Sequence, residues 1–403
     1  MKHLLIITQH FWPENFRVND LAAGLIEDGY QVDVLCGLPN YPKGEWFDGY
    51  KYTGPRKEVH NGITVYRAGE IPRKGNTGVR IFLNYVSWPF FALFNLWRLK
   101  GPYDAVLCYN TSPVLMCLPA ILYAKAHKIP CTNYVLDIWP ENLYSVLPVS
   151  NSFWQKIALR VSDWHYRRCD RLIAMSDSLR LRLLSRTGKA DRFVTVIPQH
   201  CEDFYAIPIE DKALKQKYAG SFNLVFTGNF SPAQSLETVI RAAVKARSLG
   251  AERLRLLMVG DGMSRNALEA LTDELSARDT VTFTGSVPPA DIPKYTVIAD
   301  GLVASLSDSP DLGLTVPAKI ASYMAAQKPL LVSMDGEGSK AVQQAGCGFA
   351  SAAGDVDALC ENILALYRLS ADERTAMGKK AFDYYRKNYT RRAVLDRLEN
   401  FVF

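Results

Sequence analysis

The stretch richest in chemistry runs from Val316 to Leu331, V-P-A-K-I-A-S-Y-M-A-A-Q-K-P-L-L. It reads as a helix running into a strand, with Lys319, Ser322 and Tyr323 three and four residues apart and therefore on one face. Upstream lies Leu224 to Ala243, L-V-F-T-G-N-F-S-P-A-Q-S-L-E-T-V-I-R-A-A. Its apolar run breaks at Gly228, and Leu236, Val239, Ile240 and Ala243 then recur at helical spacing. That is a strand, a tight turn and a helix, with Ser231 expected as the cap and Pro232 in the first turn. Free backbone N–H groups and the positive end of a helix dipole would face the space beyond the strand, where phosphates bind. The same residues also fit an ordinary capped βα turn. Two such helix ends and one lysine make a receptor for a diphosphate.

Two further groups stand where strands end. Cys131 to Val135 is a strand followed by L-D-I-W-P-E-N-L, which places Asp137 at the carboxyl edge of a sheet, with Glu141 as a second acid. Asp104 to Cys108 is another strand, closed by Asn110 to Pro113, N-T-S-P. Open α/β sheets bind ligands at that edge. The loop Leu38 to Tyr50, L-P-N-Y-P-K-G-E-W-F-D-G-Y, is rich in Pro, Gly and aromatic residues and reads either as a binding loop or as a self-packed surface loop. The first strand, His3 to Thr8, leads into Q-H-F-W-P-E-N-F-R, where a dinucleotide-binding protein would carry glycines. Their absence argues against an NAD or FAD site.

Around these residues the chain alternates strand and helix over 403 residues, which implies two α/β domains. In the first half strands are expected at 3–8, 31–36, 104–108, 131–135, 171–175 and 193–197. In the second they fall at 222–227, 254–259, 281–284, 301–304 and 329–332, with G-D-G and G-S-V-P turns closing the second and third of these. A proline-containing acidic segment, Pro198 to Asp211, reads as the linker. Helices at 372–388 and 391–402 finish the chain.

A formal charge of +6 admits nucleotides, anionic membranes or nucleic acid as partners, but no basic stripe interleaved with aromatics marks a nucleic-acid module. Val79 to Lys100, V-R-I-F-L-N-Y-V-S-W-P-F-F-A-L-F-N-L-W-R-L-K, is the most apolar stretch. Asn84, Ser87, Pro89 and Asn95 interrupt it, so it reads as a helix pair at a membrane interface or as a crossover helix buried on the sheet. The helix at 153–171 is basic and aromatic and reads as a solvated face or as part of the same surface. Eight cysteines show no paired or metal-ligand spacing, and Met1 to Thr8 is too short for a signal sequence, so a reducing cytoplasm is the expected compartment.

P-N-Y-P-K-G, the T-S-P turn, D-I-W-P-E, G-N-F-S-P-A-Q, G-D-G and V-P-A-K-I-A-S-Y-M-A-A-Q-K-P together resemble the family-4 retaining glycosyltransferases. Within that family the chain resembles the bacterial subfamily building capsule, O-antigen and colanic acid units, which includes L-fucosamine transferases. The resemblance implies the GT-B fold: α/β, two facing Rossmann-like domains with parallel sheets, and a C-terminal helix crossing back to the N-terminal domain. The implied domains are 1–205 with 388–403, for the acceptor, and 206–387, for a nucleotide sugar.

Carried over residue by residue, Gly228 and Asn229 face the diphosphate, Val287 frames the uracil and Lys319 neutralises phosphate. Arg265 follows the G-D-G turn, Glu337 in D-G-E-G reaches the nucleotide or sugar, and Asp137 lies beside the transferring sugar. Gln234 and Ser322 complete the donor set. Acceptor contacts fall on His10, Asn15, Asn40, Tyr41, Thr111 and Ser112. The chain departs from the family pattern at three places: Leu314 and Ser322 replace a glutamate pair, and Gln234 replaces the usual lysine.

The implied reaction is transfer, with retention, of an N-acetylated amino sugar such as N-acetylfucosamine, or another hexose, from a UDP-sugar to a polyprenyl-diphosphate-linked saccharide. The acceptor would lie at the inner face of the cytoplasmic membrane, reached through Val79–Lys100 and the 153–171 helix. No D-x-D metal site is evident, so no metal or other cofactor is expected. A UDP-sugar epimerase on the same fold, and an inactive membrane-associated binding subunit, are the alternatives.

Overall fold

The structure, a computed structural model, describes residues 1–76, 78–141, 151–309 and 311–403. It divides into one compact unit of Met1–Gln199 with Val394–Phe403 and a second of His200–Ala393. Residues 142 and 143, the end of the D-I-W-P-E-N-L stretch, lie outside the described residues.

The first unit contains strands β1 (His3–Ile7), β2 (Gln31–Cys36), β3 (Lys57–His60), β4 (Ile63–Arg67), β5 (Ala105–Asn110), β6 (Cys131–Val135), β7 (Arg171–Ala174) and β8 (Val194–Val196). Among the described residues they form one sheet in the order β3-β4-β2-β1-β5-β6-β7-β8. All neighbours pair in parallel except β3 with β4. The central strands are buried along their whole length, as a sheet covered on both faces requires. Strands β3 and β4 lie outside the expected set. They are joined at Asn61 and Gly62, both with positive φ (48° and 80°), the backbone of a two-residue hairpin turn. From β1 the chain builds outward through β2 and β4 on one side, and from β5 through β8 on the other, so the direction of winding reverses between β1 and β5.

The second unit contains β9 (Phe222–Thr227), β10 (Leu254–Val259), β11 (Val281–Gly285), β12 (Gly301–Ser305), β13 (Leu330–Ser333) and β14 (Gly348–Ser351). Their order is β11-β10-β9-β12-β13-β14, all parallel, with the reversal between β9 and β12. Strand β14 also lies outside the expected set: four residues, G-F-A-S, carry no readable period. A Cβ on Gly348 would stand 1.8 Å from the carbonyl oxygen of Leu330, so only glycine lets this strand close on β13.

Two expectations need correction. The helix after β9 begins at Leu236, not at Pro232. Pro232–Gln234 forms a separate 3-10 turn, the Ser231 side chain caps nothing, and Ser235 at φ 43° breaks the path between turn and helix. The apolar segment after Gly78 is not a buried crossover helix. Of the helix Gly78–Leu93, only Asn84, Trp88, Pro89 and Ala92 are buried. Phe82, Phe90 and Phe94 are more than half exposed, as is Trp97 in the turn Leu96–Arg98. Among the described residues, no helix is long and apolar enough to cross a membrane.

The last helix, Arg391–Val402, places Val394, Leu395, Leu398 and Val402 in the first unit's core. Arg171 fastens its end, donating to the carbonyls of Phe401 (2.6 Å) and Val402 (2.8 Å).

Candidate active site

At the winding reversal of the second sheet, the ends of β9, β10 and β12 meet the start of the helix Ala318–Ala325. The turn after β9 and the turn after β10 interlock. Gly228 N donates to Val259 O (2.9 Å), Phe230 N to Asp261 O (2.9 Å) and Ser264 N to Phe230 O (2.9 Å). Gly260, at φ 148°, is obligatory: a Cβ there would lie 1.9 Å from Gly228 O.

Lys319 reaches into this junction. Its Nζ would be 3.6 Å from a Cβ built on Gly228, and it lies 3.9 Å from the centroid of the Phe226 ring. It donates a hydrogen bond to the side-chain oxygen of Gln234, whose backbone carbonyl in turn accepts from Ser305. Tyr323, one turn further along the helix, fixes this end of the helix against β9 by accepting from Thr227 N (2.7 Å). Among the described residues no carboxylate stands within ion-pairing distance of Lys319. Part of the side chain meets solvent, yet burial around the ammonium pushes its pKa down to about 7. A cation enclosed by a ring, an amide and a glycine turn, without a counter-charge, is a site built for an anion.

The other expected donor residues fall around this junction with differing engagements. Asn229 is exposed on the glycine turn. Arg265 is already held by Asp261 (3.0 Å) and Glu269 (2.9 Å). Val287, just past β11, packs against the core with part of its surface open. The Ser322 hydroxyl donates back to Ala318 O (3.2 Å), so it is spent within its own helix. Glu337 opens the helix Glu337–Ala345, pairs with Lys340 (2.9 Å), and is nearly buried. That helix start abuts Pro317: a Cβ on Gly338 would be 3.2 Å from the proline Cδ.

In the first unit, the matching reversal between β1 and β5 carries a buried polar network. The Glu14 carboxylate accepts from the backbone N–H of Asn40 and Tyr41 (2.7 Å each) and from His10 Nδ1 (2.7 Å). Glu70 accepts from Gln9 (2.5 Å), Asn84 (2.9 Å) and Asn40 (3.1 Å). Burial, with the Glu14 charge beside it, holds Glu70 well above the usual carboxylate range. Arg73 donates through Nε to Asn84 (2.9 Å) and through Nη2 to His10 Nε2 (3.3 Å). His10 is thus held between Glu14 at Nδ1 and Arg73 at Nε2. Of the expected acceptor residues, His10 and Asn40 are buried in this network, Tyr41 lies over it half-exposed, and Asn15 points to solvent. Thr111 and Ser112 follow β5, next to Asn110, whose buried amide has neither atom hydrogen-bonded. Glu14, Glu70, Arg73 and Asn84 escaped the sequence reading. A buried acid and a solvated one look alike in sequence, and only the aromatic loop Leu38 to Tyr50, which supplies Asn40 and Tyr41, hinted at a site.

Asp137 follows β6 at the same sheet edge, partly exposed. The backbone beyond it is pinned: Trp139 N donates to Tyr166 Oη (3.1 Å), and Trp139 O accepts from Ser162 and from Arg186 (2.9 Å). Glu141 pairs with Arg186 (3.1 Å) and Arg182 (3.5 Å), so this second acid is a fastener of the turn.

Comparison with known proteins follows this division. Residues 221–368 match the family model described as glycosyl transferases group 1, and residues 15–199 match the glycosyl transferase 4-like domain. The chain is similar to "Probable glycosyltransferase WbjE" of Pseudomonas aeruginosa, 24% identical over 68% of this chain and 70% of the relative. It is 31% identical to the lipopolysaccharide core biosynthesis glycosyltransferase LpsD of Rhizobium meliloti, over 68% of this chain and 62% of that one. Among solved structures, Anabaena HepE in complex with UDP superposes with a TM-score of 0.71 at 14% identity, covering 99% of both chains. The chain has the GT-B fold and is a glycosyltransferase, similar over residues 221–368 to the group 1 glycosyl transferases.

Proposed function

We propose that the chain transfers a sugar, an N-acetylated amino sugar such as N-acetylfucosamine, from a UDP-sugar to a lipid-linked saccharide in surface polysaccharide synthesis, with retention of configuration. The observation that carries this reading is the enclosed Lys319 ammonium beside the Gly228 turn, which lacks an acidic partner among the described residues. Support for UDP comes from HepE, solved with that nucleotide, and support for the pathway from LpsD, named for lipopolysaccharide core biosynthesis.

In this reading the bond between the sugar's anomeric carbon and the diphosphate breaks as an acceptor hydroxyl attacks from the same face. The hydroxyl's proton passes to the departing diphosphate. Lys319 and the start of its helix stabilise the negative charge that develops on the leaving group, which is a contribution made in the transition state. Gly228 and Asn229 line the diphosphate, Val287 borders the base, and Glu337 meets the nucleotide or sugar. Asp137 orients the sugar. These charges come from the protein, so turnover is expected without an added metal.

The acceptor sits on the first unit, around His10, Asn40, Tyr41, Thr111 and Ser112, at the inner face of the cytoplasmic membrane. The helices Gly78–Leu93 and Ser152–Arg168 both pack beside Cys117–His127. Together they expose Phe82, Phe90, Trp154 and Trp164 alongside Arg80, Lys125, Lys156 and Arg160. Aromatic rings with cations between them fit an anionic lipid surface.

The test is incubation of the purified chain with UDP-linked N-acetylamino sugars and a bacterial lipid extract, followed by mass and anomeric analysis of the product. A lipid-linked product with the donor's anomeric configuration supports the reading. An epimerised sugar formed without acceptor would replace it with an epimerase, and nucleotide binding without any turnover would replace it with a binding subunit.

A further inference from the structure

We propose that Arg73 is the anchor for the diphosphate of a prenyl-linked acceptor, placed where the polar network of the first unit meets its exposed aromatic face. The assignment rests on a lipid-linked acceptor.

Arg73 is fixed from several sides. Nε is tied to Asn84 and Nη2 to His10, and the guanidinium lies over the rings of Tyr85 (5.0 Å) and Tyr41 (5.5 Å). Asn84 and His10 are themselves buried and held, by Glu70 and Glu14 respectively, so the guanidinium plane has little freedom. Its Nη1 has no hydrogen-bond partner among the described residues, and no carboxylate there lies within ion-pairing distance. Glu70, joined to it through Asn84, is kept toward its neutral form by burial and by Glu14. A rigid guanidinium with one open edge and an uncancelled charge suits phosphate oxygens, which it can meet in a fixed fork.

The surroundings identify the source of the phosphate. Arg73 stands at the head of the segment that runs into the helix Gly78–Leu93, whose outward residues include Val79, Phe82, Val86 and Phe90. A prenyl diphosphate presents an anionic head joined directly to an apolar tail. The protein presents an unpaired cation followed directly by an apolar face. A free phosphate would use only the first half of that arrangement.

The experiment uses the full chain saturated with UDP, so that the nucleotide site is filled, and measures binding of farnesyl diphosphate, farnesol and inorganic diphosphate. The wild-type chain is expected to bind farnesyl diphosphate at least about tenfold more tightly than either of the others, the scale of a charge-assisted contact. Arg73→Gln should bring farnesyl diphosphate down to the level of farnesol, and Arg73→Lys, which keeps a charge but not the fork, should recover part of the difference. Equal binding of farnesyl diphosphate and farnesol by the wild-type chain, or a difference that survives in Arg73→Gln, overturns the assignment. Inorganic diphosphate binding as tightly as the prenyl compound overturns the lipid source. UDP-induced stabilisation, read in every variant, separates the cases: its absence in the wild-type chain counts against the nucleotide-sugar reading, whereas missing headgroup discrimination with UDP still bound counts against Arg73 alone.

Discussion

Lys319 reaches back 85 residues along the chain to donate to the side-chain oxygen of Gln234. The amide takes one of the ammonium's three donors without cancelling its charge. Replacing it by a carboxylate should change that: Gln234→Glu gives Lys319 a counter-ion, raises its pKa, and sets a negative charge against an incoming diphosphate. UDP affinity is expected to fall about tenfold or more in titration calorimetry, with the melting temperature held or raised. Unchanged affinity would remove Lys319 from the phosphate site.

The depressed pKa of Lys319 also sets a pH dependence. The folded chain releases this proton near pH 7, and an unfolded lysine does so near its ordinary value of 10.5. Between these limits the unfolded state binds more protons, so this group's contribution to stability rises with pH. Thermal denaturation from pH 7 to 9 should therefore show a more favourable trend for the wild-type chain than for Lys319→Met. Anion binding favours the charged form, so UDP affinity should weaken as pH climbs above 7, and that slope should vanish in Lys319→Met.

The turn after β10 gives a prediction about shape alone. Gly260→Ala forces a Cβ toward Gly228 O in a backbone region that side chains avoid. A loss of about 1–3 kcal/mol in denaturant unfolding is expected, together with lost UDP binding, because both glycine turns must move. An alanine variant with wild-type stability and UDP affinity would show that the interlocked turns do not shape the site.

Glu14 should matter for the first unit instead. Glu14→Ala strands the Asn40 and Tyr41 N–H groups and His10 Nδ1, at roughly 1–3 kcal/mol for each buried group left unsatisfied. Chemical denaturation should show the loss while the retained folded fraction still binds UDP. A neutral effect would mean that the P-N-Y-P loop is held by other contacts.

Much of this architecture was legible in the residues themselves. The runs that became β1, β5, β9 and β10 are mostly apolar because both faces of a parallel sheet are covered, and Lys319 shares a helical face with Tyr323 on spacing alone. Other features left weaker traces. Asn61-Gly62 is a hairpin turn signal, but the short flanking strands K-E-V-H and I-T-V-Y-R mix polar with apolar residues at a sheet edge and leave no apolar run to mark them. Ser231-Pro232 looked like a helix cap, but the positive φ of Ser235 lies in no propensity and ended the turn early. Glu14 follows β1 whereas Glu70 and Arg73 follow β4, and only the closing of β1, β2 and β4 brings the two segments together. Their chemistry belongs to the fold and is absent from any local pattern.

The exposed aromatic face predicts a measurable attachment. A combined Phe90→Ser, Phe94→Ser and Trp97→Ser variant removes rings that would each contribute about 1.5–3 kcal/mol if fully buried in lipid. Co-sedimentation with phosphatidylglycerol vesicles should drop at least about tenfold, while UDP binding stays intact. Equal sedimentation of variant and wild-type chain would assign the face to another partner.

The most direct test of the central claim is calorimetric titration of UDP into the wild-type chain and into Lys319→Met at pH 6.5. The account predicts saturable binding by the wild-type chain, weaker binding of GDP and dTDP, and an affinity for UDP at least about tenfold lower in the variant, a difference of about 1.4 kcal/mol. No UDP binding by the wild-type chain, or equal affinity in both, would contradict it.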